Sequence, residues 1–178
     1  MNRAKMKALV HYVIAKSDPV RLGAVRLNKI LWYVDTLSYR AGGTSVTGGT
    51  YVKRQHGPVP QHVLSILGEL EGESAIVVRT SGRFGFNITE FMSRTDPDTS
   101  PLSAQDIELA EDLRKHICDD HTANSISALS HDQVWEAANI GETIPMEATL
   151  ASAPGEVTNE LLAWADSVRT RYEEQAAA

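Results

Sequence analysis

Apolar positions near the start of the chain recur at helical spacing. Met6, Leu9, Val10, Val13 and Ile14 predict a first helix over residues 3–15, and Ser17-Asp18-Pro19 breaks it. Between about 22 and 41, Leu27, Ile30, Leu31, Val34 and Leu37 share one face, while Trp32 and Tyr39, seven residues apart, share a neighbouring one. A helix apolar over so wide an arc is predicted to be central and touched from two sides. Burying its five aliphatic side chains at ~1.5–3 kcal/mol each would make it the main contributor to the core. Gly42-Gly43 should end it, because glycine adopts the left-handed C-cap conformation at little steric cost.

The period then changes. Thr50–Arg54 reads as a strand, and His56-Gly57-Pro58-Val59-Pro60 reads as a turn, since two prolines fix φ and withhold two backbone donors. A short helix is predicted near 61–71, with Val63, Leu64, Ile66, Leu67 and Leu70 inward. Ala75–Arg79 and Phe84–Ile88 flank Thr80-Ser81-Gly82-Arg83, the pattern of an antiparallel hairpin. Together with the strand at 50–55 this predicts a three-stranded sheet. Residues 96–101 form a polar linker. Two helix starts follow it: Ser103 with Asp106, stapled by Leu102 and Ile107, and Ser130 with Gln133, stapled by Leu129 and Val134. A last helix over 156–173 would carry Val157, Leu161, Trp164, Ala165, Val168 and Tyr172 along one stripe. The expected fold class is α+β, mainly α-helical. Residues 1–150 form a single helical domain with a small antiparallel three-stranded sheet, and 151–178 form an amphipathic helix packed on it.

Composition narrows the class. With 178 residues, 42% hydrophobic and 22% charged, the chain can bury a core and is not disordered in general. Its longest unbroken apolar runs are five residues, Ile30–Val34 and Leu161–Ala165, against the ~20 that a membrane-crossing helix needs. Residues 8–15 imitate a signal-peptide core, but His11 interrupts the run and no cleavage site follows. The single cysteine, Cys118, cannot form an internal disulfide. A cytoplasmic protein with no membrane contact is expected.

The net charge of −6 conceals a split. Residues 1–56 hold ten Lys and Arg against Asp18 and Asp35, a balance of +8, while the remainder holds seven basic and 21 acidic residues, a balance of −14. Either the two halves neutralise each other on packing, or a positive face steers an acidic partner to the surface. Nucleic acid is an unfavoured partner, because fourteen net negative charges would lie close to the phosphates.

Candidate chemistry is thin. His116-Ile117-Cys118-Asp119-Asp120-His121 is the one Cys/His cluster, and helical geometry aims residues 116, 118 and 121 in different directions, which disfavours a tetrahedral metal site. Cys118 has no base and orienting group in a recognisable motif. There is no G-x-S-x-G elbow, and Gly42-Gly43 and Gly48-Gly49 lack the Lys-Ser or Lys-Thr of a phosphate loop. Glu69, Glu71 and Glu73 read as a solvated helix end. No catalytic residue, cofactor site or metal site is expected. His56, His131 and Trp135 are either structural or binding contacts, with ring packing available between His131 and Trp135 one helical turn apart. Trp32 and Tyr39 are either covered by the C-terminal segment with its Trp135 and Trp164, or exposed as partner anchors.

The stretch Leu27-Asn28-Lys29-Ile30-Leu31-Trp32-Tyr33-Val34-Asp35 resembles the signature helix of the Panacea domain, the SocA-like antitoxin family. The resemblance continues through Gly43, Thr47-Gly48, Tyr51 and Gly57-Pro58-Val59-Pro60, and then through Leu129-Ser130-His131 and Trp135, so that it covers roughly 5–140. What it implies is a non-enzymatic antidote of a prokaryotic toxin–antitoxin system that neutralises a cognate toxin by protein–protein contact. It further implies a possible role as a proteolytic adaptor delivering the toxin to ClpXP. A DNA-binding regulator is the alternative, because related domains occur fused to helix-turn-helix modules. The expected partner-binding residues are Trp32, Tyr39, Tyr51, Lys53, Arg54 and His56. A homo-oligomer stays open, and the Gln175–Ala178 end is either a protease-recognised tail or a free terminus.

Overall fold

The structure is a computed structural model that describes residues 1–83 and 86–151. Helix α1, Arg3–Lys16, opens on Asn2, whose side-chain oxygen accepts a hydrogen bond from Lys5 N at 3.1 Å. Its Met6, Leu9, Val10, Val13 and Ile14 are buried, as their spacing requires. Helix α2, Pro19–Gly42, begins earlier than its apolar period suggests. Asp18 accepts from Val20 N and Arg21 N at 2.8 and 3.1 Å, and Pro19 takes the first helical position, where a missing N–H costs nothing. Gly23, at φ 58° and ψ 167°, kinks the helix in a conformation other residues rarely adopt.

Beyond the kink, Leu27, Ile30, Leu31 and Val34 are buried and Leu37 is half-buried. Helices α1, α4 and α5 and strands β2 and β4 all pack on α2, so it is central. Gly43 closes it at φ 70°, donating its N–H to Tyr39 O at 2.7 Å.

Strand β1, Tyr51–Arg54, pairs antiparallel with β2, Gly57–Pro60, so the Gly-Pro-Val-Pro stretch is a strand and not only a turn. The register explains why the prolines are tolerated. Gln61 N donates to Thr50 O at 2.9 Å, which makes 50/61, 52/59 and 54/57 the hydrogen-bonded pairs. Pro58 and Pro60, opposite Lys53 and Tyr51, therefore aim their nitrogens out of the ladder on an edge strand. The third strand is β5, Thr143–Ile144, on the other side of β1. A three-stranded antiparallel sheet exists, but its order is β2-β1-β5.

The 75–93 hairpin stands apart as a two-stranded sheet of β3, Ile76–Arg83, and β4, Phe86–Ser93. Residues 80–83, expected as its turn, belong to the first strand instead, because backbone pairing runs on past the apolar stretch with Arg79 opposite Glu90 and Thr80 opposite Thr89. In the chain between β2 and β3 comes α3, Val63–Gly72, on which Leu64, expected inward, points outward and is 80% exposed.

Helix α4, Ala104–Asp120, starts on the expected Ser103–Asp106 capping box. The Ser130–Gln133 box does not form. Ser130 instead closes α5, Ala123–Leu129, donating its hydroxyl to Ser127 O at 2.7 Å, and Asp132 caps α6, Gln133–Ala137, by accepting from Trp135 N at 2.8 Å. Helix α5 opens on a Thr122–Ser125 box that was not anticipated. Helix α7, Ala148–Ala151, ends the described chain, and the helix expected over 156–173 lies outside the described residues. Among the described residues no helix is long and apolar enough to cross a membrane.

The charge split is offset in part by ion pairs between the two portions of the chain. Arg3 pairs with Glu69, Lys5 with Asp106 at 3.0 Å, Lys7 with Glu73 at 2.5 Å and Arg21 with Asp119 at 3.2 Å. Arg26 donates to His121 O at 3.0 and 2.7 Å. Four of the ten basic side chains in residues 1–56 therefore pair with acidic residues of the remainder.

Candidate functional site

Two buried polar groups on α2 organise the region where the sequence motifs meet. Asp35 is fully buried on the central helix. Its Oδ1 accepts from Thr47 N at 2.7 Å, and its Oδ2 meets the Thr47 hydroxyl and, at 2.8 Å, Tyr51 Oη. Tyr51 Oη also lies 2.8 Å from Leu31 O, so its single proton is shared between two acceptors. Burial pushes the Asp35 carboxyl above its ordinary range, and the bonds from Thr47 and Tyr51 pull against that shift. Burial pushes the Tyr51 hydroxyl well up, with the Asp35 carboxylate adding to it. This network pins β1 and the 44–50 loop to α2.

We expect Tyr51→Phe to cost about 1–3 kcal/mol, because it leaves Asp35 and Leu31 O short of a donor in a buried site. Thermal unfolding read by circular dichroism measures the loss. A change within a few tenths of a kcal/mol would show that the network carries no stability.

Lys29 is the second group, 1% exposed on the Trp32 side of α2. Its Nζ donates to Pro58 O at 3.3 Å, and no carboxylate among the described residues forms an ion pair with it. Burial alone lowers its pKa from 10.5 to about 7. Gly57 crosses directly above it at φ +103°, and a Cβ there would stand 2.1 Å from Lys29 Nζ and 2.2 Å from Ser130 Oγ. The neighbouring Asn28 keeps a buried Oδ1 with no partner among the described residues.

Three helices hold the hairpin tip through alternate carbonyls. Trp135 Nε1 of α6 donates to Arg54 O at 3.2 Å, Ser127 Oγ of α5 to His56 O at 3.1 Å, and Lys29 of α2 to Pro58 O. His131 and Trp135 stack with ring centroids 3.7 Å apart and planes 5° from parallel, as their spacing allowed. Lys53 Nζ lies 3.9 Å from the Trp135 ring centroid and donates to Glu136 O and Ala138 O at 3.3 and 2.9 Å. Burial first, then the charges of Lys29, His56 and Lys53, lower the His131 pKa. Chemically, the arrangement clamps one conformation of a hairpin whose tip carries charge.

The six residues singled out in the sequence divide accordingly. Trp32, 3% exposed, packs edge-on to Tyr51 at 5.0 Å in a small second core with Ile144. Trp135 is partly buried against that core, so the later segment does cover Trp32; Trp164 lies outside the described residues. Tyr51 and Lys53 are also buried. Tyr39 is half-buried, and Arg54 and His56 are exposed at the tip. Three of the six are therefore packed inside the fold, and three keep solvent-facing surface.

The Cys/His cluster sits apart from this region. Cys118 is buried, and burial raises its thiol pKa. The rings of His116 and His121 meet edge-on at 5.0 Å, contrary to the expectation that they diverge, because the chain leaves the helix at His121. Among the described residues no three His, Cys, Asp or Glu side chains converge on a metal position.

Sequence reasoning did not single out Lys29, Asp35 or Ser127 as buried polar groups that hold this region. The available signal was a lysine on the same helix face as Trp32, three residues before it. In a comparison with protein families, residues 27–136 match the family described as antitoxin SocA-like, Panacea domain. That span contains Asn28, Lys29, Asp35, Tyr51, Gly57, Ser130 and Trp135. No curated protein and no solved structure matches the chain.

Proposed function

The chain belongs to the SocA-like, Panacea-domain antitoxin family, and from that premise we propose that it neutralises a cognate toxin by direct protein–protein binding, with no chemistry of its own. The observation that carries this reading is the clamped hairpin. Its backbone is held by side chains from three helices, while Arg54 and His56 project from the tip and Tyr39 lies partly open on α2. A face fixed before binding loses little conformational freedom on association. Trp32, Tyr51 and Lys53 serve it from behind by holding that face in shape, and the exposed charges act on association rate and salt dependence.

In this reading the protein works in the cytoplasm of a prokaryotic cell. A further role as adaptor, delivering bound toxin to ClpXP, fits the family resemblance, although the Gln175–Ala178 tail lies outside the described residues. The DNA-regulator alternative loses support from the ion pairs that engage four of the ten basic residues in the first third.

Co-expression tests the proposal. The product of the neighbouring gene is induced alone and together with this chain, and growth is scored. Arrest by the neighbour alone and growth with both is the expected result. A neighbour that is harmless, or one that stays toxic beside this chain, overturns the proposal.

A further inference from the structure

A groove of about 350 Å³ opens on the far flank of α6, lined by Val134, Ala137, Ala138, Ile144, Pro145 and Ala148. Its floor is the second core, where Ile144 packs with Trp32 and Tyr51. Two of the large apolar side chains left most open, Ile140 at 65% and Leu150 at 58% exposure, belong to the segments that bound it. The lining itself is mainly apolar, which suits it to receive an apolar side chain.

The part of the chain that supplies the groove carries charge of one sign. From His116 to Ala151 the sequence has no Lys or Arg and six acidic residues. Glu142 lines the groove, and Glu136 and Glu147 are exposed and adjoin the lining residues Ala137 and Ala148 in the chain. Lys53, the cation that approaches from β1, is turned inward onto the carbonyls of Glu136 and Ala138. Glu142 already accepts from Asn139 N and Nδ2 at 2.7 and 2.9 Å, which leaves Glu136 and Glu147 as the freer charges.

We propose that this acid-rimmed groove docks a basic amphipathic segment of a partner protein, apolar residues seated on Val134 and Ala137 and Lys or Arg side chains over Glu136 and Glu147. This is the helix-in-groove mode, in which apolar anchors give affinity and complementary charge gives orientation and rate. The chain's own residues 152–178 are a poorer match, with five acidic residues against Arg169 and Arg171. The inference rests on the antitoxin reading only for the partner's identity, the toxin. The groove and the clamped hairpin tip flank the same short helix, so one partner can engage both.

The test uses the full chain and a fluorescently labelled amphipathic peptide built from leucine and lysine, with its leucine–glutamate counterpart as control. Anisotropy titration should show saturable binding of the lysine peptide, weakened by salt, and none of the glutamate peptide. Ala137→Trp fills the groove without changing charge, at an exposed position, and should weaken binding at least about tenfold. Glu136→Gln with Glu147→Gln should weaken it mainly at low salt. Unchanged binding by Ala137→Trp would mean adsorption by charge alone and would overturn the inference. So would binding that appears only after residues 152–178 are removed, which would make the tail the occupant. Growth rescue by Ala137→Trp in the co-expression assay separates the two readings: if wild type rescues and the variant does not, the docked segment is the toxin's. If wild type itself fails to rescue, the antitoxin reading falls while the peptide titration still decides the groove.

Discussion

Replacing Lys29 with methionine is expected to remove a rise in stability that the wild-type chain shows between about pH 7 and 10.5. The folded-state pKa of Lys29 is about 7 against an ordinary 10.5. Across that interval the unfolded chain holds a proton that the folded chain lacks, so raising the pH favours the folded state. Below about pH 7 both states hold the proton and the folded state carries the full cost of burying it; above 10.5 neither does. The gap between the two values corresponds to about 4–5 kcal/mol. Urea denaturation of both proteins at a series of pH values reads the difference. Tyr12, Tyr33 and Tyr51, all pushed up by burial, are present in both chains and cancel. The wild-type stability should climb relative to Lys29→Met by several kcal/mol. Two parallel curves would mean that Lys29 is hydrated in the folded state and that the hairpin tip does not seal it.

Gly57→Ala is expected to cost about 2–4 kcal/mol, from a backbone conformation that alanine resists and from the space its Cβ would take. For a chain of this size that is a fall of roughly 5–15 °C in Tm. The two contributions separate in a double variant. With Lys29→Ala in the same chain, the 2.1 Å approach to Nζ is gone and only the clash with Ser130 Oγ and the φ of +103° remain. The double variant should therefore lose less than the sum of the single losses. Strict additivity would show that Gly57 and Lys29 do not press on each other.

The helical skeleton was legible in the sequence because it follows from periodicity and capping. The spacing of Leu27, Ile30, Leu31 and Val34 located the central helix, Gly43 its end, and Ser103 with Asp106 the start of α4. The sheet was half legible. Tyr51–Arg54 reads as a strand by its own residues, but Gly57–Pro60 is a strand only through its register with β1, which places both proline nitrogens outside the ladder. Thr143–Ile144 carries two residues, too few for any period, and joins the sheet through long-range pairing.

The candidate site was hidden for a related reason. Lys29 and Asp35 look like the polar face of an amphipathic helix. They are buried because the β1–β2 hairpin and the 44–50 loop close over that face, a tertiary event that helical spacing does not encode. Trp32 and Tyr51, singled out as anchors for a partner, anchor the fold instead, since an aromatic side chain serves either purpose and only its surroundings distinguish them. Ser130 looked like a helix start because its pattern was right, yet Asp132 two residues later offers the better acceptor at the true N-terminus of α6.

Titrating the purified product of the neighbouring gene with this chain, while following that product's own damaging activity, addresses the antidote role most directly. Formation of a stoichiometric complex that abolishes the activity, with the abolition complete when the two are equimolar, is the predicted result. Full activity of the neighbour in the presence of excess folded chain would contradict it.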